Sequence, residues 1–251
     1  MNALLTASLA VAGLVAAPGL RAVIVRYAVP AGEPPRHDCP ACGHQLMPAR
    51  RLPPLLAPTG RCPACRQRTG PPPFAVEAAT AVLLAALAVR VHPGLVLAAA
   101  CWLTLCAVPL AFIDAAVRRL PDPLTAAAYA GTTTLLALAA AAGDQWQDMA
   151  RAALGGIALV GFYLAIALIS PAGMGMGDVK AAASIGTLLA WAAWQSLLVG
   201  AFTGFLLAAV YGAVLVASGH ATRKQNIPFG PFMLAGAFAV ILAWSSVGSH
   251  L

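Results

Sequence analysis

The sequence predicts an all-α polytopic membrane protein with about eight transmembrane helices and a small cytoplasmic zinc-binding loop module. Three observations predict this fold class. The 251-residue chain is 61% hydrophobic and only 9% charged, which is typical of membrane proteins rather than of soluble domains. Apolar runs recur at about the 20-residue length that crosses a bilayer as a helix. Residues 27–73 break this pattern and contain four of the six cysteines.

Each apolar run is expected to be a helix, because backbone groups in lipid must form their hydrogen bonds within the spanning segment. The predicted spans cover residues 3–25, 74–90, 94–116, 122–142, 151–170, 178–193, 195–217 and 228–247. They divide the chain into a first transmembrane helix (1–26), a tetracysteine module (27–73) and a seven-helix membrane core (74–251).

Basic residues orient the predicted bundle. If the spans alternate, one face carries most of them: Arg26, Arg36, Arg50, Arg51, Arg61, Arg66, Arg68, Arg118, Arg119, Lys180, Arg223 and Lys224. The opposite face holds only Arg90 and Arg151. The positive-inside rule therefore predicts that the odd-numbered loops are cytoplasmic. The net charge of +7 then reflects the basic residues that orient the protein in the membrane. These residues also favour contact with anionic lipid. It requires no nucleic acid as a partner.

The N-terminal apolar run could be mistaken for a secretory signal peptide. It lacks a basic beginning, and its arginines come at or after its apolar end. We therefore expect a retained membrane anchor rather than a cleaved signal.

Two identical Cys-Pro-Ala-Cys tetrapeptides predict the chemistry of the module. Cys39 and Cys42 belong to the first and Cys62 and Cys65 to the second, with 19 residues between the two tetrapeptides. This spacing is typical of a tetrahedral zinc site, and Gly43 and the prolines favour the tight turns that it needs. Two disulfides or free thiols are the alternative, and a cytoplasmic location disfavours the disulfides. A closed four-cysteine shell predicts a structural ion rather than a catalytic one.

The other histidines and cysteines considered as ligands are not expected to bind the metal. His37 and His44 lie beside the tetrapeptides, but four cysteines already fill a zinc shell. Cys101 and Cys106 lie in an apolar span and are expected to be packing residues. Because a short loop buries little core, metal binding is expected to supply the fold of the module.

Three aspartates near one predicted membrane face are the candidate catalytic groups. The chain has only eight acidic residues, and carboxylates at bilayer depth usually face a cavity where they perform chemistry or move ions. Asp114 ends the third span, Asp122 begins the fourth and Asp178 begins the sixth. We expect Asp114 and Asp178 to form a catalytic pair and Asp122 to support it.

Each aspartate also has a purely structural interpretation. Asp114 could be a helix-end residue that reaches to the interface. Asp122 and Asp178 could be helix N-caps, a position that aspartate favours. Lys180, close to Asp178, could stabilise a nearby carboxylate or pair with a lipid phosphate, and the sequence leaves both open.

A glycine-rich break precedes Asp178. Gly173, Gly175 and Gly177 are expected to allow backbone conformations that are closed to other residues, and to let an extended substrate approach closely. The Gly-x-Gly pattern alone is weak evidence, because no dinucleotide-binding context surrounds it.

The predicted chemistry follows from the proximity of two carboxylates. Such groups cannot both ionise easily when they share a site, so one is expected to hold a proton. The charged one accepts a proton from a water molecule that attacks a peptide carbonyl. The protonated one donates a hydrogen bond to the carbonyl oxygen and helps to protonate the leaving amine. The chain has no nucleophile motif such as Gly-x-Ser-x-Gly.

With these motifs in order, the chain resembles the type IV prepilin peptidases, the bifunctional leader peptidase/N-methyltransferase family of GxGD-type membrane aspartic proteases. The resemblance covers nearly the full length. The double Cys-x-x-Cys loop carries it together with five segments: Pro73-Phe74-Ala75-Val76-Glu77, Phe112-Ile113-Asp114, Leu120-Pro121-Asp122-Pro123-Leu124-Thr125, Gly173-Met174-Gly175-Met176-Gly177-Asp178-Val179-Lys180 and Ile227-Pro228-Phe229-Gly230-Pro231.

The resemblance implies a two-step activity. A short basic leader is cut, after glycine, from prepilins and pseudopilins at the cytoplasmic face of the bacterial inner membrane. The exposed N-terminal residue is then methylated from S-adenosylmethionine. The resemblance assigns the cutting to Asp114 and Asp178. Gly60 and Glu77 match positions that the family associates with the cysteine-loop half and its methylation step.

One segment departs from the family pattern. The family carries Gly-Ser-Phe-Leu-Asn-Val near the end of the first span, where this chain has Pro18-Gly19-Leu20-Arg21-Ala22-Val23. The serine and the asparagine are missing, and Arg21 stands where the asparagine would be. Proteolysis therefore rests on residues present in this chain, whereas methyl transfer is implied by the resemblance.

Two other function classes stay open on the residues themselves. Intramembrane acids also relay protons in ion-coupled transporters, although no repeated halves are visible. A zinc knuckle could equally dock a component of a secretion or pilus assembly machine, as a non-enzymatic scaffold would.

Overall fold

Eight α-helices account for most of the chain that the structure describes. The computed structural model describes residues 3–30, 32–46, 59–170, 174–219 and 228–244. The helices are α1 (Ala3–Tyr27), α2 (Ala75–Arg90), α3 (Leu95–Val117), α4 (Asp122–Gly143), α5 (Trp146–Ile169), α6 (Met176–Ala192), α7 (Trp194–Ala217) and α8 (Gly230–Trp244). Each coincides with one predicted apolar run, so the all-α prediction is confirmed. The largest shift is at α5, which begins at Trp146 rather than at residue 151.

Five of these helices are long and apolar enough to cross a membrane, namely α1, α3, α4, α5 and α7. The other three, α2, α6 and α8, contain 16, 17 and 15 residues. Helices of that length extend roughly 24 Å, which is less than the hydrocarbon thickness of about 30 Å. A multi-pass membrane protein is therefore supported, and the count of eight spans stays a prediction.

Helix α6 lies at the centre of the bundle, with buried residues on almost every side. It crosses α5 closely because the contact is made by glycines. A Cβ built on Gly186 would lie only 2.8 Å from the carbonyl oxygen of Gly155. At its far end, Arg151 of α5 donates a hydrogen bond to the carbonyl of Ala190 at 2.6 Å. These contacts fix the position of α6 and therefore of the aspartate in its first turn.

Helices α1 and α7 lie at the outside of the bundle. Only 11% of the most apolar window of each is buried. Large apolar side chains such as Val15 on α1 and Phe202 on α7 are exposed, as expected for surfaces that face lipid.

Several helix ends meet at one end of the bundle. Arg118 caps the end of helix α3: its backbone is left-handed (φ 53) and its N–H donates to the carbonyl of Asp114 at 2.8 Å. A short turn through Leu120 leads directly into α4 at Asp122. Helices α6 and α8 also begin here, because Gly177 contacts Leu120 and Gly230 contacts Asp114. The fold thus brings three segments that are distant in sequence to one place.

The cysteine module consists of two knuckles with the same hydrogen-bond pattern. In each, the N–H of the first cysteine donates to a carbonyl five residues later, from Cys39 to His44 at 2.8 Å and from Cys62 to Gln67 at 2.9 Å. Gly43 closes the first turn in the left-handed region (φ 70), as its predicted turn role requires.

The module packs on the end of α1 through a small apolar cluster. Its buried members are Ala22, Val25, Cys39, Leu46 and Cys62. Five residues exclude little water, so apolar burial alone stabilises the module weakly.

Candidate active site

Asp114 and Asp178 lie side by side where the helix ends meet. Asp114 is in the last turn of α3 and Asp178 in the first turn of α6, and only 4% and 7% of their surfaces are exposed. The N–H of Gly230, the first residue of α8, donates to Oδ2 of Asp114 at 3.0 Å. The interpretation of Asp114 as a side chain that reaches to the interface is wrong, because its carboxylate is buried against α8.

Gly230 also provides a measure of how close the two carboxylates are. A Cβ built on Gly230 would lie 2.8 Å from Oδ2 of Asp114 and 3.4 Å from Oδ1 of Asp178. These two oxygens are therefore no farther apart than the sum of the two distances. The structure brings the predicted pair together at a separation from which both carboxylates can act on one substrate bond.

The two oxygens of Asp178 have different surroundings. Oδ2 accepts a hydrogen bond from the N–H of Gly175 at 3.3 Å. Asp178 is thus the third residue of α6 and closes its first turn, whereas the N-cap position that the structural interpretation gave it belongs to Gly175. Oδ1 is buried and has no hydrogen-bond partner among the described residues. Because an unpartnered buried oxygen is costly, Oδ1 is available for a proton, water or substrate.

Tyr163 of α5 is a neighbour that the sequence analysis did not identify. It is fully buried, and its ring packs edge-on against Phe229 with centroids 5.7 Å apart. It interacts electrostatically with Asp178, and its hydroxyl has no partner within the described part of the chain. A tyrosine in an apolar helix has no distinguishing local pattern, so the only available signal was the scarcity of tyrosines, of which the chain has four.

The glycines before Asp178 matter because they lack a side chain, and not because their backbone angles are unusual. Neither Gly175 nor Gly177 has a positive φ, so the conformational part of the prediction is wrong for both. A Cβ on Gly177 would lie 2.8 Å from Cβ of Leu120. The close approach that was expected of a substrate is therefore made at Gly177 by the protein's own turn. Gly173 lies outside the described residues.

Asp122 and Lys180 pair with each other instead of with the catalytic candidates. Nζ of Lys180 lies 2.7 Å from Oδ1 of Asp122, and both side chains are largely exposed. Asp122 is the first residue of α4 and its side chain makes no capping hydrogen bond, so the N-cap interpretation is wrong. The pair links the start of α4 to the start of α6.

The four cysteines predicted as ligands converge on one point. Their sulfur atoms all lie within 4.8 Å of one another; Cys39 and Cys65 are 3.7 Å apart, and Cys42 and Cys62 are 3.8 Å apart. Four sulfurs at about 2.3 Å from a tetrahedral zinc ion would be about 3.8 Å apart. These distances are too long for disulfides, and all four cysteines are free. The donor set therefore fits zinc.

The thiols also influence one another's protonation. The backbone N–H of Ala41 lowers the pKa of the Cys39 thiol to about 7. The backbone N–H of His44 acts in the same direction on Cys42, but the neighbouring thiols of Cys65 and Cys39 raise the pKa of Cys42 to about 12. Four sulfurs this close can all be thiolates only beside a cation, which is a second reason why the cluster suits a metal ion.

Comparison with known proteins decides the family. The model of the "Type IV leader peptidase family" matches residues 97–217, and that of the "Bacterial Peptidase A24 N-terminal domain" matches residues 11–91. A prepilin leader peptidase/N-methyltransferase of Aeromonas salmonicida is 32% identical over 218 residues, which cover 85% of this chain and 73% of that protein. The chain belongs to the type IV leader peptidase family.

Other members of the leader peptidase family agree at similar levels. The prepilin leader peptidase/N-methyltransferase of Bacillus subtilis is 32% identical, with 85% of this chain and 84% of that protein covered. A Burkholderia pseudomallei protein of the same name is 35% identical, with 82% and 67% covered. No solved structure matches the chain. The transporter and scaffold alternatives find no support in these comparisons.

Arg21, Glu77 and Gly60 meet at a buried junction within the N-terminal domain of this leader peptidase. Arg21 has no exposed surface. Its guanidinium contacts the Glu77 carboxylate twice, from Nε to Oε1 at 3.1 Å and from Nη2 to Oε2 at 2.6 Å. It also donates to the carbonyls of Pro71 at 3.0 Å and Pro72 at 3.2 Å. Arg21 therefore ties the end of the cysteine module to α1 and α2.

Gly60 is required at this junction by both space and backbone angle. Its φ is +63, and a Cβ would lie 2.5 Å from the carbonyl oxygen of Pro71 and 3.1 Å from Nη1 of Arg21. The two positions that the resemblance associated with the methylation step thus meet around the arginine that departs from the family segment. The sequence did not predict this pairing, although an arginine within an apolar span requires a partner.

Proposed function

We propose that this chain is a membrane aspartic endopeptidase that removes the basic leader peptide from type IV prepilins and pseudopilins. The cut takes place at the cytoplasmic face of the bacterial inner membrane, and the new N-terminal residue is then methylated. The observation that carries the proposal is the meeting of two buried carboxylates, each in contact with the N-terminus of a helix. The relatives named prepilin leader peptidase/N-methyltransferase support the substrate class and the second step.

The two aspartates divide the acid and base roles. Asp114 is the base, because the N–H at the start of α8 donates to its carboxylate at 3.0 Å, whereas the N–H of Gly175 donates to Asp178 at 3.3 Å, and the shorter bond favours the charged form more. Asp178 holds the shared proton on Oδ1, the oxygen that lacks a partner among the described residues. Their burial keeps bulk water away from the reacting groups.

The reaction consumes one water molecule. Asp114 takes a proton from the water as its oxygen bonds to the peptide carbonyl carbon, and Asp178 donates a hydrogen bond to the carbonyl oxygen. The carbon–nitrogen bond then breaks, and the leaving amine takes up a proton from the acid. The new carboxyl group of the leader returns its proton to Asp178 and departs as a carboxylate, the pilin keeps a free N-terminal amine, and Asp114 releases the proton of the water to solvent.

Two groups complete the proposed enzyme. Zinc held by Cys39, Cys42, Cys62 and Cys65 orders the module. S-adenosylmethionine, when bound, would supply the methyl group for the new N-terminal amine. Gly175, Gly177 and the pair of Asp122 with Lys180 support the site by holding the start of α6 against the α3–α4 turn.

The test is incubation of the purified protein with a prepilin, with and without S-adenosylmethionine, and mass spectrometry of the new N-terminus. Asp114→Asn and Asp178→Asn should each lower the cutting rate by about a thousandfold or more, because each removes a general acid or base. Asp144→Asn is the matched control, since the same chemical change falls on an exposed carboxylate at the end of α4. Normal cutting by either catalytic-pair variant, in a preparation free of other peptidases, would exclude the proposal.

A further inference from the structure

Tyr163 of α5 carries a buried hydroxyl group that the proposed acid–base chemistry does not use. The residue has no exposed surface, and its hydroxyl has no hydrogen-bond partner within the described part of the chain. An unpaired hydroxyl inside an apolar bundle costs free energy. A phenylalanine would fill the same space without that cost. The hydroxyl therefore indicates a bond that forms only when another molecule enters the site.

Other buried hydroxyls without a partner have a simpler explanation. Those of Thr132, Thr133 and Ser196 belong to short side chains on helices. Rotation of such a side chain can bring its hydroxyl to a carbonyl three or four residues earlier, as in the bond from Thr104 to Ala100 at 2.8 Å. A tyrosine hydroxyl lies at the far side of an aromatic ring and does not reach its own helix in this way. Its partner has to come from elsewhere.

Aromatic packing holds Tyr163 beside the aspartate pair. Its ring lies edge-on to the rings of Phe205 and Phe229, with centroids 5.6 and 5.7 Å away. Phe229 directly precedes Gly230, whose N–H donates to one carboxylate of the pair. Tyr163 is also near enough to Asp178 for the two side chains to interact electrostatically. The phenol is thus fixed by α7 and by the start of α8 at the place where the peptide bond is cut.

The proposed reaction needs a second hydrogen-bond donor for the peptide carbonyl. Negative charge develops on the carbonyl oxygen as water adds to the carbon. That oxygen has two lone pairs, and Asp178 donates to one of them. The N–H groups of Gly230 and Gly175 are already bound to the two aspartates. The ammonium group of Lys180 is paired with Asp122. A side-chain hydroxyl beside the pair meets the remaining need.

We propose that Tyr163 is a third catalytic residue, whose hydroxyl donates a hydrogen bond to the oxygen of the peptide carbonyl that is cut. Its O–H and the protonated Oδ1 of Asp178 then bind the two lone pairs of that oxygen. Neither group has a partner among the described residues, so both are available to the same acceptor. Tyr163 keeps its proton throughout and adds no covalent step. The proposal rests on the proposed function, because it assigns a role in the same cut.

Tyr163→Phe removes the hydroxyl and keeps the ring. It should lower kcat for prepilin cutting by about a hundredfold to a thousandfold with little change in KM, as loss of one donor to a developing oxyanion does. The variant should unfold at the same or a higher temperature, because the hydroxyl has no bond to lose in the free protein. A merely structural hydroxyl would give the opposite result, with a lower unfolding temperature and an unchanged kcat.

A second measurement identifies the atom that the hydroxyl contacts. A prepilin peptide with a difluoromethylene ketone at the cut position becomes hydrated and carries the two oxygens of the tetrahedral intermediate. The same peptide with a methylene group at that carbon carries neither. In nanodiscs, Tyr163→Phe should bind the hydrated ketone about tenfold more weakly than the wild-type protein does. It should bind the methylene peptide as tightly as the wild-type protein does.

Tyr211→Phe is the matched control. Tyr211 also packs against a phenylalanine of α8, Phe232, with ring centroids 5.1 Å apart, but it is exposed on α7. The same loss of a hydroxyl there should leave the cutting rate and the binding of both peptides at wild-type values.

Three results would overturn the proposal while leaving the aspartate pair in place. Tyr163→Phe could cut prepilin at the wild-type rate, or it could weaken both peptides equally. It could also shift only the pH at which cutting is fastest and keep the full preference for the ketone, which would show that the hydroxyl acts on Asp178 and not on the substrate. A wild-type protein that does not cut prepilin at all would instead remove the proposed function.

Discussion

The aspartate site and the cysteine module are stabilised in different ways. At the aspartates, helix ends from α3, α6 and α8 pack so closely that one added methyl group at Gly230 would collide with Asp114. In the module, the buried apolar cluster has five members, two of which are cysteines. The first site is therefore held by close packing, whereas the second requires bonds to an ion.

This difference indicates which substitutions the aspartate site and the cysteine module can each tolerate. A site held by packing is preformed and keeps its geometry without a cofactor, but it is sensitive to small changes in volume. A site held by ligands tolerates changes in volume on its surface and is sensitive to loss of one donor or of the ion. The Arg21–Glu77 pair is the place where the two kinds of structure are joined.

The largest expected effect is on the module. Removing zinc, by chelation or by Cys42→Ser, should speed trypsin cleavage after Arg36, Arg61, Arg66 and Arg68, because metal binding contributes on the order of 10 kcal/mol to such small folds. The helical circular dichroism signal should change little. Metal analysis of the purified wild-type protein should find about one zinc per chain.

The control for zinc loss is Cys101→Ala, which removes a thiol from α3 instead of from the cluster. It should keep its zinc and its resistance to trypsin. A wild-type protein that is free of metal and yet resists trypsin in this region would show that the module folds without an ion.

The next largest effect is expected at the junction. Glu77→Gln leaves the guanidinium of Arg21 buried without its counter-charge, which should cost about 3–5 kcal/mol in the free energy of unfolding. Combining Arg21→Met with Glu77→Leu should recover much of this loss, because it removes both charges from the buried site. Thermal unfolding in detergent measures both.

The exposed pair of Asp122 and Lys180 is the control for the junction. Asp122→Asn combined with Lys180→Gln should cost less than about 1 kcal/mol, because solvent screens the pair. If the junction variant were no less stable than this surface control, the two halves would not be held together through Arg21.

The helices and both candidate sites could be predicted because each has a local signal. Apolar runs and the breaks between them placed all eight helices, and the scarcity of acids singled out Asp114 and Asp178. The spacing of the cysteines predicted their convergence. Each of these signals can be recognised within a short stretch of sequence. They are the hydropathy of a run, a charge at bilayer depth and a two-residue gap between thiols.

The rest depended on contacts between distant segments, which have no local signal. Arg21 and Glu77 are 56 positions apart, and Gly230 and Asp114 are 116 apart. The role of Gly177 was misjudged for the same reason, since the sequence shows a residue without a side chain but not that Leu120 fills the space beside it. The catalytic and methyl-transfer roles of these residues stay predictions until variants are measured.

The smallest of the three expected effects tests the packed site most directly. In Gly230→Ala, the new Cβ would lie 2.8 Å from Oδ2 of Asp114 and 3.2 Å from its Cγ, so either the carboxylate or the start of α8 must move. A displacement of about 1 Å at a catalytic group can lower kcat/KM by about a hundredfold. Zinc content and trypsin resistance of the module should be unchanged, because the atoms that the new Cβ would meet belong to Asp114 and Asp178.

Gly161→Ala is the matched control for Gly230→Ala. Gly161 also lies in a helix, α5, but a Cβ there would meet no atom within 4 Å. Replacing glycine by alanine in a helix stabilises it by about 1 kcal/mol, so this variant should cut prepilin like the wild-type protein and unfold at a slightly higher temperature. If Gly230→Ala were equally active, the aspartates would not be fixed by the close contact with α8. The contrast between a site held by packing and a site held by an ion would then be lost.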